Sequence, residues 1–177
     1  ATDRIEEVIV TAERRAESIQ SVAVAVTAID MAGIESKSIG NILDVGRHVP
    51  NAVIINGTGP ANSSRIYFRG IGEDDSRNPD PAVGTYLDGI FMGRTIGGLL
   101  DVADVAQIEV LRGPQGTLFG RNTPAGIVKV QSKKPTQDYD ASISGSYGSF
   151  GSTDFRLAVG GGLTDTVSAR VALLQQD

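Results

Sequence analysis

Residues Arg112–Val130 read RGPQGTLFGRNTPAGIVKV, with four glycines and two prolines. Two β-rich runs border this stretch, Gln107–Leu111 (QIEVL) and Ile127–Gln131 (IVKVQ). Gly and Pro at such density fix unusual backbone angles and let the backbone pass close to other groups. The pattern predicts strand, tight irregular turn, strand. With Arg112 and Arg121 beside it, the turn reads as a docking element rather than a flexible spacer.

Composition narrows the function classes. The chain has 177 residues, 40% of them hydrophobic, with 22 glycines, no cysteine, no tryptophan and one histidine. A core is attainable at that length, and the glycine content favours strands and turns. A net charge of −5 argues against a nucleic-acid binder, which carries a basic face. Absence of cysteine excludes disulfides and thiolate metal sites. His48 has no second His or Cys to complete a centre, and suits a helix C-terminus. No run of about 18 apolar residues marks a transmembrane helix.

The glycine-rich turn also fails as a phosphate loop. A Walker loop needs Gly-Lys followed by Ser or Thr, and no such triplet occurs. The dinucleotide fingerprint needs a helix after the glycines, where this chain has Ile127–Gln131. No nucleophile has a histidine base. Glu6-Glu7 and Asp74-Asp75 sit in polar surroundings that give no reason for a raised pKa. No enzyme and no cofactor is expected. The loop holding Glu73, Asp74, Asp75 and Asp80 lacks calcium-loop spacing and reads as solvated, so no metal site is expected either.

Working outward, Ile5–Ala12 (IEEVIVTA) is short and β-prone, and Glu13–Gln20 is polar. This suits a strand offered to a partner's sheet edge, and equally a strand of the domain's own sheet. Val22–Ile29 predicts a strand, and Asp30–Glu35 a short helical turn. A helix over Ile39–His48, capped by Ser36 or Ser38, puts Ile39, Ile42 and Leu43 on one face. Val53–Ile55, Arg65–Arg69, Val83–Leu87 and Ile90–Met92 read as strands, the last two joined by an Asp88-Gly89 turn. Leu99–Ala106 predicts a helical turn or two. Beyond Pro135 the style changes to three alternating runs, Tyr139–Tyr147, Thr153–Gly161 and Thr166–Gln175, with turns at 148–152 and 160–165. Runs of this length with one apolar and one polar face suit transmembrane β-barrel strands, and equally a soluble antiparallel sheet.

In this order the features resemble the N-terminal part of a TonB-dependent outer-membrane receptor. Glu6–Ala12 (EEVIVTA) resembles the TonB box. Arg65–Gly72 (RIYFRGIG) and Val83–Ile90 (VGTYLDGI) resemble plug-domain strands. Ile108–Gly120 (IEVLRGPQGTLFG), with Arg121-Asn122 and Ala125-Gly126 after it, resembles the most characteristic plug motif, and Lys133-Lys134-Pro135 the plug's end. Pro124 and Lys129 depart from the family pattern, which more often carries a small residue and Asn.

The resemblance implies an α+β plug domain, a small mixed sheet with short helices, followed by antiparallel strands of an incomplete barrel. The implied segments are 1–20 (box and tether), 21–136 (plug) and 137–177 (first barrel strands). About 22 strands of about 10 residues need far more chain than Gln137–Asp177 supplies. A plug with only the first strands of its wall is therefore expected. The implied function is gated, energy-dependent uptake of a scarce nutrient across the outer membrane of a Gram-negative bacterium, most often a ferric siderophore. A soluble periplasmic binding or signalling module without a barrel is the alternative. The implied partners are TonB, the chain's own barrel and a small-molecule metal chelate. TonB would pair with Glu7, Val8, Ile9, Val10, Thr11 and Ala12 by strand addition, and Glu13–Ser21 would be the tether. Arg112 and Arg121 would face the barrel wall. The outward loops would place Asn62, Ser63, Ser64, Asp75, Arg77 and Arg94 against substrate.

Overall fold

The computed structural model describes residues 8–11, 15, 17–57, 63–72, 80–93 and 104–176. The chain divides into two compact units. Unit 1 comprises Ala1–Val102 and Gln107–Gln131, and unit 2 comprises Ala103–Ala106 and Ser132–Asp177.

Unit 1 is built on a mixed sheet. Its strands are β3 (Ala25–Asp30), β6 (Val83–Leu87), β7 (Ile90–Met92), β8 (Val105–Arg112) and β9 (Gly126–Ser132), in the order β3-β8-β9-β6-β7. β3 runs antiparallel to β8, and β6 runs parallel to β9. Two smaller ladders accompany it: β1 (Ile9–Val10) with β2 (Glu17–Ser18), and β4 (Ala52–Asn56) with β5 (Ser64–Phe68). In β8 the residues Ile108, Glu109, Val110 and Leu111 are all buried, as are Ile127, Val128, Lys129 and Val130 in β9. Neighbouring residues of a strand point to opposite faces, so both faces of the central strands are covered.

The short connections follow local chemistry. Asp88 and Gly89 both take positive φ (49° and 83°), as a two-residue hairpin turn demands. The glycine-rich turn contains a single helical turn, α3 (Gly116–Phe119), which the strand–turn–strand expectation lacked. Gly126 opens β9 at φ 146°, where a Cβ would lie 2.2 Å from the Leu111 carbonyl oxygen. Only a residue without a side chain lets β9 start against β8 at that point.

Several expectations shift. Helix α1 (Met31–Ser36) is capped by the Asp30 carboxylate, which accepts from Gly33 N–H at 2.8 Å. The helix predicted over Ile39–His48 is only Ile42–Val45 (α2), and its cap is Asn41, not Ser36 or Ser38. Asp44 closes the capping box by accepting from the Asn41 backbone, and Ser38 sits at φ 51°, outside any helix. Apolar spacing marked the right face, but the cap set the start. Val105 and Ala106 begin a strand rather than ending a helical turn. Glu17 and Ser18, predicted as part of an extended tether, fold back onto Val10 and Ile9.

In unit 2, β10 (Asp140–Tyr147), β11 (Thr153–Thr164) and β12 (Val167–Gln176) form one antiparallel sheet. The second strand, expected to end at Gly161 with a turn over 160–165, runs on to Thr164. A register shift between Gly162 and Thr164 absorbs the irregularity. Registry aligns Ile143 with Leu157 and Leu173, and Ala141 with Val159 and Val171. On this face Ile143 is 71% exposed, Val171 59% and Leu173 58%, a continuous exposed apolar surface. The opposite face carries Asp140, Ser142, Ser144, Arg156 and Arg170. Tyr139 and Tyr147, both strongly exposed, stand at the two ends of the first strand. One apolar and one polar face, with aromatics at the strand ends, is the pattern of a wall that meets lipid.

Candidate functional site: an N-terminal strand held on the sheet

One face of the unit 1 sheet carries the N-terminal strand. Along β8 the same-face positions are Gln107, Glu109 and Leu111, and along β9 they are Ile127, Lys129 and Gln131. Val10 is completely buried and clusters with Tyr86, Leu111 and Ile127, with Val8, Val26, Phe91 and Phe119 packed around them. Tyr86 is fixed by edge contact with Phe119 (5.3 Å between ring centres) and by its hydroxyl, which donates to the Phe119 carbonyl at 2.7 Å. Full burial of a valine side chain contributes about 1.5–3 kcal/mol.

Beside this apolar seat lies a polar clasp. Glu109 is fully buried and accepts from Lys129 Nζ at 3.0 Å. The pair closes on Thr11. The Thr11 N–H donates to Glu109 Oε1 at 2.8 Å, and its hydroxyl donates to the same oxygen at 2.9 Å. Lys129 Nζ donates to the Thr11 carbonyl at 2.8 Å and also to its hydroxyl oxygen. Gln131 Nε2 donates to the Thr11 hydroxyl at 2.6 Å. Gln107 Nε2 donates to the Ile9 carbonyl at 3.0 Å. Each charge therefore has a partner of opposite sign and further hydrogen bonds, the condition for burying ions without a large penalty.

The geometry occupies both edges of this strand. In the register Ile9↔Ser18 and Val10↔Glu17, Val8 and Val10 point their backbone groups at β2, and Ile19 N–H donates to the Val8 carbonyl at 3.0 Å. Ile9 and Thr11 point theirs the other way, at Gln107, Glu109 and Lys129. These side chains stand where a neighbouring strand's backbone would stand.

Of the residues expected to pair with TonB, Val8 is half-buried, Ile9 exposed, Val10 buried and Thr11 half-buried. Glu7 and Ala12 lie outside the described residues. Arg112, expected at the wall, donates from Nη1 to the Pro50 carbonyl (3.0 Å) and from Nη2 to the Thr27 hydroxyl (3.2 Å). Its Nε is buried with no partner among the described residues. Arg121 is exposed, and neighbouring Asn122 donates to Asp80 at 3.2 Å. Ser63 and Ser64, expected near substrate, are buried at the head of β5. Asn62, Asp75, Arg77 and Arg94 lie outside the described residues. Glu109, Gln107 and Gln131 were not singled out from sequence, and Lys129 was noted only as a departure. Their signal was present: a charge in the middle of each apolar run, QIEVL and IVKVQ.

A mixed sheet that carries its own N-terminal strand, followed by antiparallel strands with an exposed apolar face, defines a barrel plug with the first strands of its wall. The sequence pattern of the TonB-dependent receptor plug domain matches residues 18–127, and the chain belongs to that family. It is 30% identical over 156 residues to the catecholate siderophore receptor Fiu of Escherichia coli K12, covering 84% of this chain and 19% of that protein. It is 28% identical over 127 residues to the vitamin B12 transporter BtuB of Vibrio vulnificus, covering 70% of this chain and 20% of that one. The crystal structure of the ferric yersiniabactin uptake receptor FyuA from Yersinia pestis superposes with a TM-score of 0.80 at 27% identity, over 86% of this chain and 24% of that chain. The chain thus spans about a fifth of the length of the curated relatives it matches. These relatives are transporters and receptors rather than enzymes. Membership places the chain in the outer membrane of a Gram-negative bacterium.

Proposed function

We propose that this chain supplies the plug of a transporter that imports a ferric siderophore at the expense of TonB-coupled energy. The observation that carries the reading is the N-terminal strand seated on the plug sheet by one buried valine and a set of side-chain hydrogen bonds. Val8, Ile9 and Val10 are β-branched and extend readily, which suits strand addition. Hydrogen bonds worth about 1 kcal/mol each, or about 1.5–3 where a charged group takes part, hold the seat without a covalent link. With both edges occupied, TonB would pair with Glu7–Ala12 only after one edge is vacated. Iron chelates are favoured as substrate because one relative is named a catecholate siderophore receptor and another a ferric yersiniabactin uptake receptor.

In this reading residues 1–20 are the coupling segment, 21–136 the plug and 137–177 the first wall strands. Arg112 and Arg121 contribute to the plug–wall boundary. Asn62, Ser63, Ser64, Asp75, Arg77 and Arg94 belong to the substrate-facing loops, with the two serines reaching substrate only if the head of β5 opens. The exposed apolar face of unit 2 favours a wall strand over a soluble module. The test deletes residues 7–12 from the full-length receptor. Binding of a ferric siderophore is expected to persist while energised uptake is lost. Uptake that survives the deletion, or that proceeds in cells without TonB, overturns the proposal.

A further inference from the structure

Unit 2 contains a second charged cluster that transport has not been called on to explain. Asp140, Gly160 and Arg170 lie on one rung of the three-stranded sheet. The middle position has no side chain, and a Cβ there would stand 3.1 Å from Arg170 Cγ. Gly160 is thus a gap through which the arginine reaches across β11. Its Nη1 donates to Asp140 Oδ2 at 2.7 Å, and Lys133 Nζ donates to the same oxygen at 2.5 Å. The remaining two nitrogens grip Asp104 as a fork, Nη2 to Oδ1 at 2.8 Å and Nε to Oδ2. The Arg170 side chain is only 7% exposed. Finally, Lys133 N–H donates to the Asp104 carbonyl at 2.9 Å.

The positions of these residues in the chain give the cluster its meaning. Asp104 directly precedes β8, and Lys133 directly follows β9. Arg170 therefore fastens Asp104 to β12 directly and Lys133 by way of Asp140 and the Asp104 carbonyl, the two ends of the segment that carries β8, α3 and β9. A buried arginine stripped of its carboxylates is an uncompensated charge, so the cluster resists stepwise opening.

We propose that Arg170 is a positioning residue that anchors Asp104 and Lys133 throughout transport, so that a pull entering at the N-terminus draws out at most the chain ahead of Asp104. β8, α3 and β9 then remain in place. The inference rests on the TonB-coupled reading for its transport consequence, while the anchor itself has a separate readout.

Two measurements on the full-length receptor test it. The first compares amide exchange at Lys133 in wild type, Arg170→Gln and the isosteric Asp104→Asn, each checked for a folded barrel by its heat-modifiable mobility. Loss of the charged bonds is expected to speed exchange about tenfold or more in both variants. Unchanged exchange in variants with a folded barrel overturns the anchor whatever transport does. The second places cysteines at 104 and 170 in a background otherwise free of cysteine, joined by a short cleavable thiol cross-linker. The joined receptor is expected to take up a ferric siderophore at the unjoined rate. Substrate binding with uptake lost until the linker is cleaved shows that the anchor must open, and overturns the proposal. A wild-type receptor that takes up no ferric siderophore fails the coupling reading instead, and leaves the exchange result to decide the anchor.

Discussion

Replacing Thr11 by valine keeps the shape of the side chain and removes one oxygen. That oxygen donates to Glu109 at 2.9 Å and accepts from Gln131 at 2.6 Å and from Lys129. The Thr11 N–H and carbonyl keep their bonds to Glu109 and Lys129, so the clasp is weakened and not abolished. Glu109 and Lys129 also keep each other at 3.0 Å, which prevents a stranded buried charge. A hydrogen bond to a charged group is worth about 1.5–3 kcal/mol, and a neutral one about 1. With partial re-pairing, the seated state should lose about 2–3 kcal/mol relative to the released state. That shifts the seated-to-released ratio roughly 30- to 150-fold. The assay is amide exchange at Val10 and Thr11 in the full-length receptor, together with its affinity for the periplasmic domain of TonB. Both exchange and affinity should rise in T11V, by the same factor while the seated state still dominates. Exchange unchanged from wild type refutes the clasp. Exchange that rises with no change in affinity refutes its role in gating the partner.

Three further outcomes are expected. Val10→Ala removes buried methyl groups from the seat and should weaken it by about 1–2.5 kcal/mol, read as faster exchange at Ile9 and Val10 with substrate affinity unchanged. Glu109→Ala leaves Lys129 buried without its carboxylate and should cost about 3–5 kcal/mol in plug stability, whereas the E109Q/K129M double variant should recover much of that loss in denaturant melts. A double variant no more stable than Glu109→Ala would speak against the pair as a unit. Gly126→Ala forces a Cβ to within 2.2 Å of the Leu111 carbonyl and 2.8 Å of Phe68, so it should destabilise the plug by more than about 3 kcal/mol, measured as the yield of protease-resistant plug.

Much of the fold was legible because its signals are local. Asp88-Gly89 specifies a hairpin turn from two residues alone, and the limits of β6 and β7 match the sequence reading for that reason. The alternation after Pro135 places three strands because a period of two needs no knowledge of the partner. Misreadings arose where several local signals competed. The three glycines at 160–162 look like the start of a turn, yet β11 continues through them to Thr164, with a register shift between Gly162 and Thr164. Serines 36 and 38 are good caps in principle, but Asn41 with Asp44 three residues later makes the stronger capping box.

The candidate site was half visible. The β-prone segment ending at Thr11 could be marked from its residues, and sequence left open whether it pairs with a partner or with its own domain. Its seat joins positions 98 to 120 residues apart, Thr11 to Glu109 and to Gln131. No periodicity connects them.

By itself the sequence determined the class of protein: the glycine-rich turn between β-rich runs, the order of the motifs and the alternating strands that follow are all properties of short stretches. Only the tertiary structure decided what the charges inside the apolar runs do. Glu109 and Lys129 are tolerated in the sheet because the fold pairs them with each other and closes Thr11 onto the pair, and Arg170 is tolerated in β12 because Asp104 and Asp140 meet it there. A charge can be buried only where opposite charge and hydrogen bonds converge on it, and that convergence is a fact of three dimensions.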